Sequence, residues 1–144
     1  MLINEIFRMR LKQTPNNLFR IPALAKNHSV VFVSINYRRG VLGFLSLDAL
    51  SKRAYPSTSG NYGLGDIVSA LQWIKLNINH FGGHPSKVTL LGRGSGATLV
   101  TALTATAKTR DLIKRVWVSN GAGIFEDKSL EQANKENQVK HLSK

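Results

Sequence analysis

"VTLLGRGSGATLV", residues 88–100, reads as a strand, a sharp turn and the start of a helix. Val88 to Gly92 is an apolar run of the kind that forms a strand buried on both faces. Glycines at 92, 94 and 96 break it, and such punctuation marks a turn. Beyond them, "SGATLVTALTATA" sets Ala97, Val100, Leu103 and Ala107 on one side of a helix.

Working outward, the same alternation recurs. Upstream, residues 64–80 carry Ile67, Ala70, Leu71, Ile74 and Ile78 at helical spacing, and Asp66 suits the positive N-terminal end. "FGGHPS" at 81–86 stops that helix, because Pro85 bars continuation. Earlier still, "VVFVSIN" at 30–36 predicts a strand buried on both faces. A long connection, rich in Gly, Ser and Pro towards its end, joins it to the helix. Residues 16–27 predict a short helix capped by Asn17. Downstream, "RVWVSN" at 115–120 is a third strand. The order strand, helix, strand, helix, strand predicts an α/β fold with a parallel sheet and flanking helices.

From Glu126 the chain turns polar. Ser129 and Gln132 make a capping box, and Glu131/Lys135 and Glu136/Lys140 stand at i,i+4. An exposed helix is expected there.

The chain has 144 residues, no cysteine, and 20 Lys plus Arg against 8 Asp plus Glu, a formal charge of +12. Disulfides and thiol chemistry are excluded, and no apolar run reaches the roughly 18 residues of a membrane span. The N-terminus lacks the apolar core and small-residue cleavage site of a secretory signal. The cations are spread along the chain without an interleaved aromatic platform, so a protein-facing surface is expected rather than nucleic-acid binding. His28, His80 and His84 show no metal-ligand spacing, and neither a metal nor any other cofactor is implied. Asn27-His28-Ser29 is a glycosylation sequon, which matters if the chain is secreted.

The glycine turn touches two chemical motifs. Gly92, Gly94 and Ala97 fit the G-x-G-x-x-A of dinucleotide folds. That reading needs an acid at the end of the next strand, where Ser119-Asn120 stands; Asp111 comes too early. The G-x-S-x-G elbow of serine hydrolases is the other motif.

Context decides between them. "GNYGLGD" at 60–66, "ALQWIKLNI" at 70–78, "FGGHP" at 81–85 and Val88-Thr89 all precede the turn, and "NYRRGVLGFL" stands at 36–45. This series closely resembles the type-B carboxylesterase and cholinesterase family over about residues 18–122. It matches that family's non-catalytic adhesion branch best. The resemblance implies a partial α/β-hydrolase fold with a three-stranded parallel sheet core.

In the family register, the elbow G-E-S-A-G falls on Gly92, Arg93, Gly94, Ser95 and Gly96. The nucleophile's place is Gly94, Ser95 is one position late, and Arg93 replaces an acid. No catalytic residue is therefore expected. The alternative is a carboxylesterase fragment using Ser95 as a shifted nucleophile, with a base within about 3 Å. After Ser95 the chain offers His141 as its histidine, and Asp111, Glu126 and Asp127 as the nearest acids, none in family context.

The resemblance further implies that a strand is missing between residues 30–36 and 88–92, which would leave those two about 9.6 Å apart. "LINEIF" at 2–7 is the candidate filler, although Glu5 suits a central strand poorly. The expected organisation is a divergent segment at 1–17, a partial domain at 18–125 and a polar tail at 126–144. The expected role is protein recognition at the extracellular face of a plasma membrane. Its partner would be an acidic or extracellular protein, and the membrane would be reached through segments outside this chain.

Overall fold

The computed structural model describes residues 2–3, 28–53, 59–121, 129 and 131–136. The expected helix at 16–27, the Asn27 sequon and His141 lie outside the described residues. The chain divides into two compact units, Met1–Asn36 with Ala70–Gly123, and Tyr37–Ser69 with Ile124–Lys144.

The first unit holds a three-stranded parallel sheet in the order β1 (Leu2–Ile3), β2 (Thr89–Arg93), β3 (Arg115–Ser119). Leu2 pairs with Leu91 and Ile3 with Gly92. On the other edge, Thr89 to Arg93 pair in step with Arg115 to Ser119. The helix that follows β2, Ser95–Thr104, packs on both β2 and β3. It buries Ala97, Val100 and Leu103 over the fully buried Leu90. Ala107, expected on that stripe, lies past the helix end and is exposed; Thr109 is buried in the following 3₁₀ turn instead.

The strand expected at 30–36 does not form a ladder. Pairing there is limited to an isolated bridge at Ser34, and Val30 and Val31 are exposed. A cleft of about 660 Å³ opens between this segment and the start of β2, lined by Val31, Val33, Ile74, Ile78, Val88 and Leu91 among others. An apolar, β-branched run fits a pleated, half-buried surface, but a ladder needs a neighbour within about 4.8 Å. Here the neighbour of β2 is Leu2–Ile3.

The second unit carries two short helices in the stretch expected to be a connection, α1 (Gly40–Phe44) and α2 (Asp48–Arg53). The helix α3 (Tyr62–Asn77) begins in this unit and ends in the first, and a 3₁₀ turn, Ile78–Phe81, continues it. Its stripe is buried at Ile67, Leu71 and Ile74, and the 3₁₀ turn buries Ile78. In chain order the helix at Ser95–Thr104 is α4, and residues 131–136 form a further helical turn. Gly63 is required by crowding: a Cβ there would sit 2.5 Å from the Arg38 carbonyl oxygen and 2.7 Å from the Phe44 ring.

The capping box forms as its spacing predicts. The Ser129 N–H donates to Gln132 Oε1 at 2.9 Å, and the Gln132 N–H donates to Ser129 Oγ at 3.2 Å. Lys135 and Glu131 pair at 2.7 Å. The helix is not exposed all round, however. Asn134 is buried, accepting from Ser46 Oγ at 2.5 Å and donating through Nδ2 to Asp48. Ser59 completes this polar cluster: its Oγ meets Ser51 Oγ at 2.7 Å and bonds both the N–H and the carbonyl of Leu47 at 2.9 Å.

Candidate functional site

Strand β2 ends at Arg93 and α4 begins at Ser95, so a single residue makes the reversal. That residue is Gly94, with φ 59° and ψ −125°. A side chain is strained in this region, whereas glycine enters it freely. The turn is pinned on both sides. The Gly94 N–H donates to the Ser119 carbonyl at the end of β3, at 2.8 Å. The Gly94 carbonyl accepts from the N–H groups of Ala97 and Thr98, at 3.0 and 3.3 Å.

The flanking glycines are there for contact. A Cβ on Gly92 would lie 2.4 Å from the Gly96 carbonyl oxygen and 2.7 Å from Val100 Cγ2, so α4 could not seat on β2. After β3 the chain crosses the turn so closely that a Cβ on Gly121 would meet Ala97 Cβ at 2.4 Å and Gly94 O at 2.5 Å. Sequence reasoning missed Gly121; the signal was a glycine directly after a strand.

Of the five residues singled out from the sequence, Gly92 and Gly96 are buried, Gly94 and Ser95 are half-buried, and Arg93 is exposed. Ser95 does not sit at the apex. It is the first helical residue, one position beyond.

Of the described histidines, His84 stands away from it. His84 precedes β2 and Ser95 follows it, which puts roughly 16 Å of strand between them. The His84 ring accepts from the Ser86 N–H at 3.2 Å and meets Ser86 Oγ at 2.9 Å, capping the 3₁₀ turn Pro85–Lys87. Asp111 is exposed in the turn before β3, at the end of the sheet opposite Gly94. Glu126, Asp127 and His141 lie outside the described residues. At the end of β3, where a dinucleotide fold needs its acid, Ser119 Oγ donates to Asn120 Oδ1 at 2.5 Å. Among the described residues, no group of three metal-ligating side chains comes together.

A model of the carboxylesterase family matches residues 9–144. Neurotactin of Drosophila melanogaster is 54% identical over 114 residues, which are 79% of this chain and 14% of that protein. Neuroligin-2 of Mus musculus is 39% identical over 108 residues, 75% of this chain and 12% of that one. Fumonisin B1 esterase of Sphingopyxis macrogoltabida is 48% identical over 81 residues, 56% of this chain and 15% of the enzyme. Among solved structures, the Geobacillus stearothermophilus carboxylesterase EST55 at pH 6.8 aligns with a TM-score of 0.73 and 38% identity. That alignment covers 81% of this chain and 25% of the enzyme chain. The chain thus spans under one sixth of the length of these curated relatives. With its sheet, its glycine turn and these matches together, the chain belongs to the carboxylesterase family.

Proposed function

We propose that this chain is part of a catalytically inactive carboxylesterase-like module that works in cell adhesion or protein recognition, as neurotactin-like members of the family do. The observation that carries the reading is Gly94 alone at the apex between β2 and α4, with Ser95 already inside the helix. A serine-hydrolase elbow projects its nucleophile from that apex. Gly94 keeps the strained turn and offers a hydrogen in place of a hydroxyl. Arg93 reverses the charge that the family places next to it. The relatives neurotactin and neuroligin-2 support the same reading. The expected setting is the extracellular face of a plasma membrane, with an acidic or extracellular protein as partner. No described helix is long and apolar enough to cross a membrane; the reading places the membrane contact in segments outside this chain.

One observation favours a second reading, a carboxylesterase hydrolysing carboxylic esters with Ser95 as nucleophile: the 48% identity to fumonisin B1 esterase. A fluorophosphonate probe and an ester-turnover assay separate the two. The inactive reading expects no labelling and no turnover above buffer, in the native chain and in Ser95→Ala alike. Labelling that Ser95→Ala abolishes and Gly94→Ala spares would establish the esterase.

A further inference from the structure

The end of the sheet opposite Gly94 gathers positive charge. The turns leading into β2 and β3 are stitched together there, because the N–H groups of Lys114 and Arg115 both donate to the Val88 carbonyl, at 3.0 and 3.2 Å. The preceding turn is held just as firmly. Leu112 and Ile113 donate to the Thr109 carbonyl at 2.9 and 3.1 Å. The buried Thr109 hydroxyl is within hydrogen-bond reach of the carbonyls of Leu103 and Thr106. Lys87, Lys108, Arg110, Lys114 and Arg115 are all exposed on this framework, with Asp111 the one acid in the same turns. Among the described residues, no ion pair holds any of the five.

We propose that this end of the sheet is a recognition surface for a sulfated polysaccharide. Like charges held on a rigid scaffold repel one another and are neutralised together by a linear polyanion, with release of its counter-ions. The other polyanions fit less well. A duplex is read by a helix or ribbon that enters a groove, but these cations sit on two 3₁₀ turns, a loop and a strand start. A single strand is held by stacking on successive aromatic rings, and on the strand that carries Arg115 the one exposed ring is Trp117. An acidic protein surface needs an apolar anchor inside the charged rim; Leu112, the leucine of this turn, is itself buried, and the exposed Val116, Trp117 and Val118 run on along β3 away from the cations. The proposal goes beyond the adhesion reading by adding a second partner class to its protein partner, and rests on that reading for the extracellular setting.

The test measures binding of the full chain to immobilised heparin at several salt concentrations. The patch variant is K108Q/R110Q/K114Q, and the charge-matched control is K52Q/R53Q/K75Q. The patch variant should bind at least about tenfold more weakly near physiological salt, and the slope of log affinity against log salt should fall by about three. The control should keep the native slope, and de-sulfated heparin should not bind. Equal loss in both variants, or equal binding of de-sulfated heparin, would overturn the proposal. Tighter binding of duplex DNA or polyglutamate than of heparin would also overturn it, in favour of nucleic acid or an acidic protein. If the triple variant loses its native circular dichroism, the exposed single changes K108Q and K114Q carry the test, each expected to lower the slope by about one. Probe labelling of Ser95 would sink the inactive-module reading while leaving this binding result unchanged, so the two failures are distinguishable.

Discussion

Arg38 grips Asp66 across 28 residues of sequence. Its backbone N–H and its Nε both donate to Oδ2 at 2.9 Å, and its Nη2 donates to Oδ1 at 2.7 Å. The guanidinium also lies 5.3 Å from the centroid of the Tyr62 ring. The sequence pattern suggests a helix-dipole role for Asp66, but its carboxylate is engaged by Arg38 within the second unit, tying the segment before α1 to α3.

This pair predicts an acid-sensitive stability. Hydrogen bonds from the Arg38 side chain hold the Asp66 carboxyl below its usual range, against a smaller opposing effect of burial. A lowered folded-state value means the contribution is complete above the unfolded carboxylate pKa of about 3.9. It is lost as pH falls through the lower folded value. Asp66→Asn should therefore lower the urea midpoint at pH 6 and remove part of its decline between about pH 4 and pH 2. Parallel midpoint curves for the two proteins would refute the assignment. Arg38→Lys should behave like a partial loss, because an ammonium cannot present the two-pronged fork.

The glycines of the turn should differ in cost. Gly94→Ala adds a methyl group at a strained dihedral, for about 1–3 kcal/mol. Gly92→Ala drives a Cβ into the Gly96 backbone and the Val100 side chain. Overpacking of this kind costs about 3 kcal/mol or more when the clashing atom is backbone, which cannot turn aside. Chemical denaturation of both variants should rank Gly92→Ala as the more damaging. The reverse order would mean that α4 can lift from β2 more easily than this packing implies.

Much of this was legible in the sequence because it depends on local periodicity. Ile67, Leu71, Ile74 and Ile78 announce their buried stripe, and the spacing of Ser129 and Gln132 announces the capping box. The glycine turn could be read because strand, breaks and helix adjoin. What escaped depends on neighbours distant in sequence. Val30 to Val33 have strand composition, but composition cannot say which segment takes the adjacent edge of β2. Leu2–Ile3 takes it, while Glu5 lies outside the described residues. Helix α2 did leave a signal, Asp48 at its start and Lys52-Arg53 at its end. The Arg38–Asp66 clasp and the burial of Asn134 left none, since both join segments remote in the chain.

Asn134 is expected to act as the latch of the helical turn 131–136. Its amide links Ser46 and Asp48 to that turn from a buried position. Asn134→Leu would strip the Ser46 hydroxyl and the Asp48 carboxylate of this partner, at about 1–3 kcal/mol. Hydrogen exchange should then show lost protection at 131–136 and at 48–53 together. Lys135→Ala, which breaks an exposed pair, should leave both segments protected, because such pairs contribute about 0–1 kcal/mol. Loss confined to 131–136 in Asn134→Leu would show that α2 does not depend on the latch.

Thr109 offers the cleanest separation of packing from hydrogen bonding. Its side chain is fully buried at the close of α4, where its hydroxyl is within reach of the Leu103 and Thr106 carbonyls and lies 3.1 Å from the Thr106 hydroxyl. Helix C-terminal carbonyls have no i+4 partner; the Thr106 N–H and hydroxyl reach the Leu103 carbonyl at 3.2 and 3.3 Å, and the Thr109 hydroxyl adds a further donor. Thr109→Val removes the donor and presses a methyl group against the Leu103 carbonyl at hydrogen-bond distance, although that carbonyl keeps its Thr106 donors. The lost bond and the overpacking together should cost about 1–3 kcal/mol, seen as a lower urea midpoint with an unchanged denaturant slope. Thr109→Ser keeps the donor and gives up a methyl group, so it should cost about 1 kcal/mol, the transfer energy of one buried carbon. Valine must therefore prove the worse substitution. If serine does, the site is held by its methyl contacts, and the turn carrying Lys108 and Arg110 owes its shape to packing alone.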